Sequence, residues 1–233
     1  MPTRHAVLAA ALVACLAPPS PALAAPAPTI IDRPIRFDQE RIDLTKRYIR
    51  RHYGLKVKDI KIVPRAVVVH WTASGTTRAG WVTFNRVRMR AARKHLLRGG
   101  LVNVSAHFLV ARDGRIYRLM PETWMARHCI GLNYDAIGIE NVGGGKKWPL
   151  TPAQLRANIA LVRYLVAKHK GIRYLLGHME WKRFEKAPFF RELDPTYRNA
   201  KPDPGRRFMR GLRRALSDLK LLGRYTTPRK GGR

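Results

Sequence analysis

Acidic residues are scarce in this chain. Fifteen Asp and Glu stand against 46 Lys and Arg over 233 residues, a formal charge of +31. So one-sided a surface needs an anionic partner, whether nucleic acid, acidic lipid or a cell-envelope polymer, and composition does not choose among them. Cysteine is nearly missing: Cys15 and Cys129 are the only two, which excludes a disulfide scaffold and a four-cysteine zinc module. No apolar run reaches the roughly 20 residues a membrane-spanning helix needs. Proline and glycine are scattered without period, so neither collagen nor low complexity describes the body of the chain. What is present is a 45% hydrophobic content, enough for one buried core and too much for a disordered chain. At roughly 150 residues per domain, this is one domain with extensions.

The N-terminus narrows the compartment. Residues 1–24 begin with Arg4 and His5, continue as an apolar run from Ala6 to Ala17, and end in Ala22-Leu23-Ala24. That order matches the basic, apolar and small-residue regions of a secretory signal. Within it, Leu12-Val13-Ala14-Cys15 resembles a bacterial lipobox, and lipidation at Cys15 is the one route to a membrane anchor. Export to the periplasm or outside the cell argues against nucleic acid as the partner and for an anionic envelope polymer.

Residues 25–61 read as a linker and an N-terminal helix, the latter over Phe37–Tyr53 with Gly54 as its C-cap. Ala66–His70 is a short apolar run, as a buried strand requires. Ala106–Val110 and Ile116–Leu119 flank Asp113-Gly114, a hairpin signal in which a primed turn is expected. Ile137–Val142 is a further strand. Thr151 and Pro152 open a helix with Leu155, Ile159, Val162 and Val166 on its apolar face and Gly171 closing it. Arg173–His178 is a strand, Phe208–Leu222 a helix, and 223–233 a loose basic tail. Strands interleaved with helices predict an α/β fold, a mixed central β-sheet flanked by helices.

Three potential metal ligands fall at or beyond strand ends: His70, His178 and Asp203, the last held in Lys201-Pro202-Asp203-Pro204-Gly205. A zinc hydrolase uses three protein ligands and leaves a fourth position for water. Taken singly, each has a plain alternative. A strand-end histidine is often structural, and Asp between prolines is a turn former. Their separations match no local motif such as H-E-x-x-H.

The blocks Val67-Val68-Val69-His70-Trp71-Thr72, Asn103–Val110, Asp113-Gly114, Ile137-Gly138-Ile139-Glu140-Asn141-Val142, Leu176-Gly177-His178 and Lys201–Gly205 together resemble the type 2 N-acetylmuramoyl-L-alanine amidases. That family shares its fold with peptidoglycan recognition proteins. The resemblance spans roughly residues 62–212, and a zinc amidase domain over 62–222 is expected. It implies Zn²⁺ bound by His70, His178 and Asp203, with Glu140 as acid/base and Lys201 stabilising the transition state. It also implies peptidoglycan or a muropeptide as substrate. The residues agree with it: Glu140 sits in an apolar strand, where an unpaired charge is costly unless it serves a site. A buried ion pair is the alternative for Glu140, and solvated surface charge the alternative for Lys201. His107 is open between orienting a ligand and being a satisfied strand histidine.

Two departures from the family pattern stand out. The 179–200 interval is long and carries Trp181, Phe184, Phe189 and Phe190, and reads as a lid or groove wall, with core packing as the alternative. Arg127 occupies the place before His128 where an aromatic is common. Cys129 beside His128 is no thiol nucleophile, because neighbours on a strand face opposite ways. Two rival functions remain: a binding module without catalysis, and a basic nucleic-acid-binding protein, for which no recognition motif is present.

Overall fold

The computed structural model describes residues 27–226. The signal-like segment with its cleavage site and Cys15, and the last seven residues of the basic tail, lie outside them. Six strands form one sheet: β1 (Ile30–Asp32), β2 (Ala66–Trp71), β3 (Phe108–Val110), β4 (Ile116–Arg118), β5 (Ala136–Asn141) and β6 (Tyr174–Gly177). Their order is β1-β4-β3-β5-β2-β6, with β3–β4 the one antiparallel pair. The mixed α/β sheet expected from the sequence is therefore the architecture. Five α-helices accompany it: α1 (Gln39–Tyr53), α2 (Thr77–Asn85), α3 (Lys94–Leu97), α4 (Pro152–Lys168) and α5 (Arg206–Ala215). Strand β1 lies in the stretch read as linker, and α2 and α3 carry too little apolar periodicity to announce themselves.

Strand alternation divides β2 between two layers. Val67 and Val69 join Ile137, Ile139, Phe108, Leu175 and the inner faces of α4 and α5 in one buried cluster. Ala66 and Val68 face the other way, toward Leu176, Trp181, Phe184 and Phe189. The aromatics of the 179–200 interval therefore cover the sheet's second face. They are core and not a lid: α2 reaches this face only over Leu109 of β3, and the aromatics bury the part under β2 and β6. Only Tyr197 and Asn199 of this interval reach the cleft described below.

Three local expectations are corrected. The Asp113-Gly114 turn holds only Gly114 at positive φ (93°), a type I turn with a left-handed glycine in place of a primed turn. The buried face of α4 is turned to Gln154, Ala157, Asn158, Leu161, Val162 and Leu165. Gln154 and Asn158 go inward because strand-end groups satisfy them: Gln154 Nε2 donates to the Val142 carbonyl at 2.8 Å and Asn158 Nδ2 to Asn141 Oδ1 at 2.7 Å. The helix ends at Lys168, before Gly171. The expected Phe208–Leu222 helix stops at Ala215 and is followed by a 3₁₀ turn over Ser217–Leu219. The chain unwinds there so that Leu222 can exchange backbone hydrogen bonds with Arg173 and Leu175 at the sheet edge. Beyond it Tyr225 packs edge-on against Phe189, so the tail's first residues are anchored.

Candidate metal centre and active site

Strands β2, β5 and β6 run parallel, so their carboxyl ends share one edge of the sheet. His70 near the end of β2 pairs in register with Glu140 of β5, and β6 ends at Gly177, where His178 opens a 3₁₀ turn (His178–Phe184). Ligands of open parallel sheets sit at such an edge. Asp203 arrives from a separate loop and is tied down where the Met179 N–H donates to its carbonyl at 2.8 Å. Gly177 makes this approach possible: a Cβ there would stand 2.7 Å from Pro204 Cδ.

The three expected ligands meet. His70 Nδ1 and His178 Nδ1 are 2.9 Å apart, and Asp203 Oδ2 lies 3.1 Å from the second and 3.3 Å from the first. All three residues are buried. A chain of hydrogen bonds decides which lone pairs face inward. His128 Nε2 lies 3.2 Å from the Ala136 carbonyl, which only an N–H satisfies, so its Nδ1 is the acceptor for the Nε2–H of His70 at 3.0 Å. His70 Nδ1 is thereby left with a lone pair directed at His178 and Asp203. Gly138 permits this, since a Cβ there would meet the His128 ring at 2.8 Å. Three electron-pair donors converging on one point are satisfied together by a cation. Tetrahedral ligand atoms about 2.0–2.1 Å from zinc stand about 3.3 Å from each other, close to the triangle seen.

The electrostatics suit the same species. Burial, then the neighbouring His178, lowers His70 to about 4, keeping it a neutral imidazole, the form that ligates metals. Burial pushes Asp203 up, but its close imidazole neighbours His178 and His70 outweigh it and hold the carboxyl well below its usual range. Glu140 moves the other way: burial, then the Asp203 carboxylate, raises it to about 8. Its Oε2 is out of solvent and makes no hydrogen bond, so the buried ion pair considered from sequence is not formed. Lys201, half-buried, shares the cleft of about 340 Å³ with these residues and makes no hydrogen bond or ion pair among the described residues.

Other residues sort themselves plainly. His107 is a satisfied strand histidine: its Nε2 faces the Trp124 carbonyl at 2.8 Å and its Nδ1 accepts from the Gly138 N–H at 2.9 Å. Cys129 is buried, and burial pushes its thiol up, which removes it as a nucleophile. Arg127 is buried and donates to the carbonyls of Gly100 and Val102 and to the Tyr197 hydroxyl. In place of an aromatic it laces the cleft wall together. Sequence reasoning missed His128 as the partner of His70, and Asn141, whose amide donates to the His70 carbonyl at 3.0 Å. Both lie beside residues that were singled out, but only the folded register shows the contact.

A sheet of this order with two imidazoles and a carboxylate at its carboxyl edge defines a candidate metal site. The family model described as N-acetylmuramoyl-L-alanine amidase matches residues 60–206. The endolysin of Escherichia phage T7 is 31% identical over 111 residues, covering 46% of this chain and 69% of the endolysin, and that of Enterobacteria phage T3 matches to the same extent. The N-acetylmuramoyl-L-alanine amidase LysC from Clostridium intestinale, 22% identical, superposes with a TM-score of 0.50 over 84% of this chain and 100% of that one, a likeness of fold. The chain belongs to the N-acetylmuramoyl-L-alanine amidase family and is a peptidoglycan amidase.

Proposed function

We propose that this amidase cleaves the bond between the lactyl group of N-acetylmuramic acid and L-alanine with a zinc ion held by His70, His178 and Asp203. The convergence of these three donors on one point carries the reading. Zinc bound there would polarise the scissile carbonyl and acidify a water molecule. Glu140 takes a proton from the attacking water and returns it to the departing amine, a role that favours an acid/base group held in the neutral range. A cation beside Asp203 offsets the carboxylate's upward push on Glu140. The Lys201 ammonium, which has no other partner among the described residues, faces the charge that develops on the carbonyl oxygen. A binding-only module would have no use for an orphaned, half-buried carboxylate beside a triangle of metal donors. Peptidoglycan is met outside the cytoplasm, by export through segment 1–24.

The test is digestion of purified sacculi followed by mass spectrometry and metal analysis. Free stem peptides and intact glycan strands are expected, with one zinc per chain, and a chelator abolishes both product and metal. His178→Ala loses stoichiometric zinc; retention of one zinc per chain in that variant overturns the ligand set. Glu140→Gln keeps zinc and fold and loses about 10²–10⁴ in turnover. Near-normal turnover removes Glu140 from the mechanism.

A further inference from the structure

Beside the cleft runs a second depression of about 920 Å³, between the 3₁₀ turn after β6 and helix α5. Lys201 and Pro202 line both, so the two are adjacent. Its walls carry Arg183, Lys201, Arg206, Arg210 and Arg213 against one carboxylate, Glu180. That carboxylate is already committed: it is buried, bound by Arg213, accepts from Arg183 Nη1 at 3.0 Å, and caps the Gly177 N–H at 2.9 Å. Arg206 and Arg210 are exposed and make no ion pair or hydrogen bond among the described residues. They stand one helical turn apart on one face of α5, and the stripe from Arg206 to Arg213 extends about 10 Å along the helix. Uncompensated guanidinium forks in a concave surface match carboxylates or phosphates.

We infer that this groove is a polymer-binding subsite which takes the carboxylates of stem peptides neighbouring the one being cleaved. The inference rests on the amidase reading above, because it is adjacency to the cleft across Lys201 and Pro202 that makes the occupant part of the same polymer. Stem peptides carry free carboxylates at every uncut position, so an enzyme seated on one stem has the next within reach of a groove of this length. Arg207 and Arg214 lie on the same helix, are also exposed, and line neither depression. They are the internal control for net charge.

The experiment measures co-sedimentation of the full chain with intact sacculi, in a Glu140→Gln background so that cutting is slowed about 10²–10⁴-fold. Arg206→Gln/Arg210→Gln should bind about tenfold more weakly, whereas Arg207→Gln/Arg214→Gln, with the same loss of charge, changes binding less than twofold. Equal losses mean that total charge and not the groove binds the wall, and overturn the inference. Sacculi whose carboxyls are amidated should bind the unsubstituted groove no better than the Arg206/Arg210 variant, and removal of wall phosphates should change nothing. A loss that follows the phosphates instead overturns the assignment to stem carboxylates. With Glu140 restored, the Arg206/Arg210 variant should cleave a soluble single-stem muropeptide at the ordinary kcat/KM. A fall there places these arginines in the catalytic site and overturns the inference. If the unsubstituted enzyme releases no stem peptide from either substrate, the amidase reading fails on its own, while the sedimentation arms still report on the groove.

Discussion

At the scale of single residues, the site depends as much on the group behind each candidate ligand as on the ligand. His70 presents Nδ1 to the triangle because His128 accepts from its Nε2, and His128 can do so because Ala136 fixes its tautomer. Partners of this kind are usually worth 10–100-fold in metal affinity. His128→Leu is therefore expected to bind zinc about 10–100-fold more weakly in a chelator competition, with the fold retained. Unchanged affinity would make His128 a packing residue. His128 could not be assigned this role from the sequence, since its link to His70 spans 58 residues and no local spacing encodes it. His107 shows the converse: a histidine inside a resembling block that turned out to be fully spent on backbone groups.

At the scale of elements, the decisive junction is the end of β6. Gly177 lets the Pro202–Pro204 loop close over His178, and adding one methyl there sets it 2.7 Å from Pro204 Cδ and 3.0 Å from Met209 Cγ. Its backbone is extended (φ −80°), so the methyl and not the dihedral is the obstacle. Gly177→Ala should lower unfolding free energy by about 1–3 kcal/mol, the usual cost of overpacking, and weaken zinc retention together with it. Urea denaturation and metal analysis check both, and an unperturbed zinc content would mean that the loop yields without moving Asp203. Helix α4 teaches a related point. Its N-cap Thr151 and the Pro152 start are as the sequence suggests, and Gln154 adds a capping box, yet its buried face is not the most apolar one. Gln154 and Asn158 belong inside because strand-end carbonyls and Asn141 need donors, and hydropathy counting ranks such residues as surface.

At the scale of the whole molecule, the buried histidines tie stability to pH. His107 is lowered to about 4 by burial, its hydrogen bond to Trp124 opposing. Between that value and its ordinary 6.5 the unfolded chain takes up the proton and the folded chain does not, so stability rises with pH across this window and is complete above it. One buried imidazole of this kind accounts for about 3 kcal/mol between pH 7 and pH 4. Glu140, raised to about 8, works in the opposite sense, being favoured neutral in the fold and costing stability as pH rises from about 4.5. The two are separated by comparison: metal-free wild type and His107→Gln should differ in the slope of unfolding free energy against pH between 4 and 6.5, the variant being flatter. Identical slopes would show that His107 does not titrate with unfolding. The molecule's charge carries a prediction about address. If segment 1–24 directs export, sequencing of the native protein begins near Ala25; a native start at Met1 contradicts export by cleavage, and a lipidated start at Cys15 changes the address to a membrane-tethered one.

What the sequence determined by itself was local: apolar runs that had to become strands, the capped start of α4, a charge demanding an anionic partner, and ligand-type residues at strand ends. The ordered blocks also carried the family and with it the amidase chemistry. The tertiary structure alone decided that these residues meet. Three parallel strands put His70, Glu140 and the start of the His178 turn on one edge, and a loop closing against Gly177 adds Asp203. It also decided that the long aromatic interval is core, that Arg127 is a strut, and that α5 turns Arg206 and Arg210 into a groove beside Lys201. The reason is physical. Periodicity records what each residue does against its own segment, whereas lone-pair direction, burial and orphaned charge are set by neighbours far away in the chain.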